Sequence, residues 1–121
     1  MLLAGDYAKL LPALECMKIN QFVLEYATPR AGDIEIVGRA LNDRELGLGV
    51  VNPRTDHVES VDFIVAKAER ALEYYRPDQL FLNTDCGFGC FASRSVNVEE
   101  VAYRKLCAIV ESAKQLRHKY A

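Results

Sequence analysis

Three short, nearly unbroken apolar runs, each followed by a segment of helical periodicity, constrain this chain more than any other feature. They are Gln21-Phe22-Val23-Leu24-Glu25-Tyr26, Glu45-Leu46-Gly47-Leu48-Gly49-Val50-Val51 and Gln79-Leu80-Phe81-Leu82-Asn83. A strand with one wet face alternates polar and apolar residues, whereas a strand covered on both faces does not. The runs therefore read as parallel strands of an α/β fold, built of βα units in the order α-β-α-β-α-β-α. Right-handed crossovers put the C-terminal end of every strand on one edge of the sheet. Glu25, Asn52 and the Asp85-Cys86-Gly87 turn fall on that edge, where open sheets and barrels alike build their sites.

The helical segments carry their own punctuation. The first spans Tyr7 to Met17, with Leu10, Leu11, Leu14 and Met17 on one face. Pro12 either kinks it or sits in the first turn of a regular part that begins near Leu11, since an interior proline is costly and a first-turn proline is not. Asp33 is a candidate N-cap for a short helix carrying Ile34, Val37 and Leu41, because its side chain can accept from otherwise unpaired first-turn N–H groups. Ser60 caps a longer helix with Val61, Ile64, Val65, Ala68, Leu72 and Tyr75 on one face, stopped by Pro77. Thr84 to Val96 reads as a glycine-rich loop. Asn97 with Glu100 then opens a last helix whose apolar face is Val101, Ala102, Leu106, Ile109, Val110, Ala113 and Leu116.

A chain of 121 residues suffices for one core and not for two, so residues 1–121 read as a single domain. The net charge of −2 and the lack of a basic stripe with interleaved aromatics argue against nucleic acid as a partner. No run approaches the roughly 18 apolar residues of a membrane span, and Met1-Leu2-Leu3-Ala4-Gly5-Asp6 lacks the layout of a signal peptide. A cytoplasmic protein is expected. Cys16 and Cys107, on apolar helical faces, read as packed thiols.

Two residues on the shared edge carry chemistry. Glu25 ends an apolar strand, where a carboxylate is costly unless paired or metal-bound; alone it reads as a salt-bridged residue with Arg30 as its partner. Cys86 follows the third strand in Asn83-Thr84-Asp85-Cys86-Gly87-Phe88-Gly89, where the glycines alone would make a sharp turn. Together they are a carboxylate and a thiolate at strand ends, both good zinc ligands. Cys90 and His57 are possible additions, but Cys-x3-Cys without a second pair is a weak metal pattern and is not the spacing of a redox pair.

The same runs carry a resemblance to a known family. Phe22-Val23-Leu24-Glu25-Tyr26 followed by Arg30-Ala31-Gly32-Asp33, then Leu48-Gly49-Val50-Val51 followed by Val58-Glu59-Ser60, then Leu80 through Gly89 with its Asp-Cys-Gly-Phe-Gly turn, resemble in order the cobalamin-independent methionine synthases and their shorter relatives. Methyl- and epoxyalkane-transferring enzymes that act on coenzyme M look similar in the same places. The resemblance implies a TIM (β/α)8-type barrel with zinc at its C-terminal face, and a reaction in which a small thiol such as homocysteine takes a methyl group. It implies Glu25 and Cys86 as zinc ligands. The family's other two, a His-x-Cys pair, fall ahead of Met1 by position, and no His-x-Cys occurs among these residues. Long family members also carry a proton-donating His in the loop after the second of these strands. That loop reads Asn52-Pro53-Arg54-Thr55-Asp56-His57 here, so His57 is a candidate on that ground, against a plain reading as a solvated loop histidine. The loop is closer to that of the shorter relatives, which leaves the methyl donor open between a folate and a corrinoid type.

A barrel of this type needs eight strands and about 200 residues or more, so three strands are expected to be its last three, incomplete in this chain. The expectation is then a zinc-dependent methyl transfer that the chain does not complete alone. Free sheet edges invite another chain, so a homo-oligomer or association with a separate N-terminal half is expected. The alternative is a non-catalytic fragment, or a small oligomerising α/β domain with a vestigial metal site.

Overall fold

Strand β2 (Glu45–Val51) is the centre of a three-stranded parallel sheet, with β1 (Gln21–Glu25) on one side and β3 (Leu80–Thr84) on the other. The structure, a computed structural model, describes residues 5–91, 94–95 and 98–120, and of residues 90–91 and 94–95 the backbone alone. Pairing runs from Gln21 opposite Glu45 to Glu25 opposite Gly49, and from Leu46 opposite Leu80 to Gly49 opposite Asn83, after which an irregularity sets Val51 opposite Thr84. Helices α1 (Leu11–Cys16), α2 (Glu35–Ala40), α3 (Val61–Ala71) and α4 (Glu99–Tyr120) complete the described order, with a short antiparallel hairpin, β4 (Gly89–Phe91) and β5 (Arg94–Ser95), between β3 and α4.

The two faces of the sheet differ. Phe22, Leu46, Leu48 and Val50 are buried against Val37, Leu41, Ile64, Ala71, Tyr75 and Ile109, with Leu24, Leu80 and Leu82 packed at the margin. On the other face Val23, Gly47 and Phe81 lie in register, and Val23 and Phe81 are 60% and 47% exposed. That is the pattern of a sheet whose second face awaits cover: its apolar residues match a buried environment that these residues do not provide.

Local chemistry explains most element boundaries. Pro12 lies in the first turn of α1, which begins at Leu11 after a 3-10 turn over Ala8–Leu10, so the prolyl ring removes no helical hydrogen bond. The guanidinium of Arg44 donates to the carbonyls of Leu14 and Glu15 at 3.1 and 2.9 Å, satisfying the end of that helix. Ser60 caps α3 by accepting from the Phe63 N–H at 3.1 Å. Gln79, expected inside a strand, closes a 3-10 turn instead, and its buried amide donates to the carbonyls of Asn42 and Arg44.

Several sequence expectations are corrected. Asp33 fills the expected capping role only in part: Ile34 holds the N-cap position of α2 with no side-chain bond, while Asp33 Oδ1 accepts from the Glu35 N–H at a long 3.4 Å and the carboxylate pairs with Arg70 of α3 at 2.9 Å. That hydrogen-bonded guanidinium holds the Asp33 carboxyl below its ordinary range. Helix α3 stops at Ala71, well before Pro77, because Tyr74 and Tyr75 are taken by α2 and its C-terminus: the Tyr74 ring lies over Gly38 and the Tyr75 hydroxyl donates to the Leu41 carbonyl at 3.3 Å. The glycine-rich loop contains the β4–β5 hairpin. Helix α4 buries Lys105, Ile109 and Ser112, while Leu106 and Val110 are exposed. Cys16 and Cys107 are exposed rather than packed. The Asn97 cap lies outside the described residues. Among the described residues no helix is long and apolar enough to cross a membrane.

Gly38 of α2 packs against Tyr74, just past the end of α3. A Cβ there would sit 2.5 Å from Cγ and 2.7 Å from Cβ of Tyr74, too near the backbone for the ring simply to swing away. Gly38→Ala is expected to destabilise the protein by about 1–3 kcal/mol, as overpacking does, measured by urea unfolding; an unchanged midpoint would contradict the contact.

Candidate functional site

The C-terminal edge of the sheet is held together by one carboxylate. Asp85, the first residue past β3, bonds through its own N–H to the Val51 carbonyl of β2 at 2.8 Å. Its side chain then crosses β2, and Oδ1 accepts from the Ala27 N–H at 3.0 Å and, at 3.1 Å, from the Tyr26 N–H, which it shares with the Gly49 carbonyl of β2, also at 3.1 Å. The crossing passes over Gly49, where a Cβ would lie 2.4 Å from Asp85 Oδ1 and 2.8 Å from the Leu24 carbonyl oxygen. Any side chain at 49 would occupy the carboxylate's path, which is why this strand carries glycine. From the helical layer, Lys67 of α3 donates to the Tyr26 carbonyl at 2.6 Å. Burial pushes the Asp85 carboxyl up and the Lys67 ammonium down, and each charge partly offsets the shift of the other.

Glu25, the first expected ligand, ends β1 at the free edge of the sheet. Its backbone is held there by Tyr7, whose hydroxyl accepts from the Glu25 N–H and donates to the Glu25 carbonyl, each at 3.1 Å. The N-terminal segment thus closes the outer edge of β1 at this one point. The Glu25 side chain is 41% exposed and faces the Arg30 guanidinium at 3.7 Å, which realises the partner expected from sequence but as a loose pair. A contact this long and this open to water holds the carboxylate weakly.

Cys86, the second expected ligand, follows Asp85 directly and is half-buried. Glu25 and Cys86 therefore each adjoin a residue that Asp85 ties down: Glu25 precedes Tyr26, and Cys86 follows Asp85 itself. The Cys90 side chain lies outside the described residues. Among the described residues no group of three or more His, Cys, Asp and Glu side chains converges as a metal site would require.

His57 lies exposed in the loop after β2, and its backbone rather than its ring is engaged. Lys105 of α4, fully buried, donates to the His57 carbonyl at 2.5 Å and to Glu59 Oε1 at 2.7 Å. The other Glu59 oxygen accepts from the Asn52 N–H at 2.6 Å. One buried ion pair thereby joins both ends of the loop, Asn52 and Glu59, to the last helix.

Sequence reading missed Tyr7, Lys67, Asp85 and Lys105 as builders of this edge. A signal existed for two of them. Lys105 stands at helical spacing from Val101, Ala108, Ile109 and Ser112, and a lysine within a buried stripe needs a buried anion. Asp85 sits in the quoted Asp-Cys-Gly turn, opposite a strand whose glycines need a reason. No local pattern marks Tyr7 or Lys67.

A sequence profile of the cobalamin-independent synthase catalytic domain matches residues 4–115. The methionine synthase of Pyrococcus abyssi is 31% identical over 113 residues, and that of Saccharolobus islandicus 28%; the alignments cover 93% of this chain but 31% and 32% of those proteins. A B12-independent methionine synthase from Shewanella sp. W3-18-1, solved in complex with selenomethionine, superposes with a TM-score of 0.80 at 20% identity, over 93% of this chain and 31% of that one. The chain belongs to the cobalamin-independent synthase catalytic-domain family, has three parallel βα units of that barrel-type fold without closure, and spans about a third of the length of the curated relatives it matches.

The buried Lys105–Glu59 pair gives a stability prediction. Lys105→Met leaves Glu59 buried without its cation, which is expected to cost about 3–5 kcal/mol. Lys105→Met combined with Glu59→Gln is expected to recover part of that loss. Chemical unfolding measures both; a single-mutant loss under about 1 kcal/mol would mean that solvent reaches Glu59 freely.

Proposed function

We propose that this member of the cobalamin-independent synthase family supplies the carboxylate and thiolate side of a zinc site that activates a small thiol, homocysteine or a close analogue, to accept a methyl group. The observation that carries the reading is the common edge: Glu25 precedes the Tyr26–Ala27 pair that Asp85 binds across Gly49, and Cys86 follows Asp85 itself. Membership of the family supports the reaction class, and its likeness to methionine synthases supplies methionine synthesis as the setting.

The residues fit zinc as a partial donor set. A thiolate and a carboxylate suit a borderline ion, and a tetrahedral shell then needs two further donors, from outside the described residues together with the incoming thiol. Zinc supplies, when bound, the acidity that keeps a coordinated thiol ionised at neutral pH. The chain's own residues do the rest. Cys86 serves as a ligand and is not itself methylated. The Glu25 carboxylate, in loose contact with Arg30 at 3.7 Å, would be the more easily displaced of the two donors, with Arg30 at hand to take its charge. His57, exposed at the end of a clamped loop, is a proton-donor candidate of the second rank. The methyl donor is of folate or corrinoid type.

The reading also calls for a partner. The bare sheet face with Val23 and Phe81 continues into an open groove of about 910 Å³ along the free edge of β3, lined by Leu80, Leu82, Ile109, Val110 and Ala113 among others. Apolar surface beside an unpaired strand favours association. A homo-oligomer, or assembly with a separate N-terminal half, would cover it. The second reading, a non-catalytic oligomerising domain with a vestigial site, draws on the same surface.

Zinc titration by calorimetry separates the two. One weak site per chain, abolished in Cys86→Ser and weakened in Glu25→Gln, is expected. No binding, or binding untouched by both changes, favours the non-catalytic reading. Sedimentation is expected to show dimers or larger species; a compact monomer at all concentrations would count against the association.

A further inference from the structure

The geometry points to Asp85 as a positioning residue that fixes the Glu25 and Cys86 strand ends against one another before any metal arrives. The inference rests on the zinc reading for its purpose, but its structural content stands on this chain alone.

Three features carry it. First, the reach is long: one side chain joins the ends of strands that are not neighbours, with β2 between them. Second, β2 is cut away for it, since a Cβ at Gly49 would meet both the carboxylate and the Leu24 carbonyl. Third, the Tyr26–Ala27 segment is gripped from two sides, its N–H groups by Asp85 and the Tyr26 carbonyl by Lys67 from the helical layer. A turn needing only a sharp reversal after β3 would require neither the crossing nor the glycine beneath it.

The arrangement matters because the two donors stand on separate strand ends. Glu25 holds a loose ion pair, and Cys86 begins a segment that leaves the sheet. Two donors on separate strands bind an ion well only when their backbones are already at the right separation. Asp85 is not a catalytic residue and touches no substrate in this account. It acts through the residues on either side of it.

Asp85→Asn keeps an oxygen at the accepting position, and Asp85→Ala removes it. The Ala27 amide reports the tether directly, since Asp85 is its acceptor; the amides of Leu46 and Leu48 in the central strand serve as controls. In the metal-free protein, hydrogen exchange at Ala27 is expected to quicken at least tenfold in Asp85→Ala, to stay close to wild type in Asp85→Asn, and to leave the controls unchanged. Zinc affinity is expected to fall about 10–100-fold in Asp85→Ala and to be largely kept in Asp85→Asn. Wild-type exchange at Ala27 in a folded Asp85→Ala variant, or undiminished zinc affinity in it, overturns the proposal. Should Asp85→Ala not fold, Asp85→Glu carries the test: charge is kept but the carboxylate lies a methylene further out, so wild-type zinc affinity there overturns it as well. If the wild-type chain binds no zinc, the zinc reading fails, and Ala27 exchange alone decides whether the tether exists.

Discussion

A carboxylate drawn partly out of water needs donors, and Asp85 finds them two strands away. Its N–H pairs with the end of β2, and its Oδ1 receives two N–H groups past the end of β1. The rest of the sheet edge follows from this. Gly49 must lack a side chain for the carboxylate to pass. Lys67 enters from α3 to hold the Tyr26 carbonyl and to place a cation near the half-buried carboxylate. Glu25 and Cys86 inherit their positions from the residues beside them. A parallel sheet brings strand ends to one edge by topology, and its backbone bonds join neighbours there, as the Tyr26 N–H to Gly49 carbonyl bond does. The Asp85 carboxylate adds a bond between strands that are not neighbours.

The same sheet is finished on one side and open on the other. Its helical face is a closed core of branched aliphatic and aromatic residues, and its opposite face shows Val23 and Phe81 to solvent. The likeness to a much longer B12-independent methionine synthase explains the asymmetry: three βα units of a barrel carry an inward face meant for a lumen packed by the other strands. The outer edge of β1 is closed at Glu25 by the Tyr7 hydroxyl, while β3 keeps an apolar groove beside it. Under the proposed zinc reading, cover for that face and further donors for the metal would come from one source, strands that complete a barrel.

The strands were legible because apolar runs bounded by polar residues are a local signal, and all three lie where the periodicity put them, within a residue at their ends. The Ser60 cap was legible for the same reason. Asp33 shows the limit: its type and place suit a cap, yet Arg70, distant in sequence, offers it a stronger partner. Helix α4 shows another. Hydrophobic spacing pointed to Leu106 and Val110 as core, but the helix is rotated so that Lys105 meets Glu59, a pairing across more than forty residues that no window contains. Of the site, the identity of Glu25 and Cys86 came from motif resemblance, and their support by Tyr7, Lys67 and Asp85 became visible only in three dimensions.

The central claim is that Glu25 and Cys86 meet on one zinc ion, and zinc K-edge X-ray absorption of the zinc-loaded chain addresses it most directly. A sulfur scatterer at about 2.3 Å together with lighter atoms at about 2.0–2.2 Å is expected, the sulfur vanishing in Cys86→Ser. A shell of oxygen and nitrogen alone, unchanged by that substitution, would contradict it.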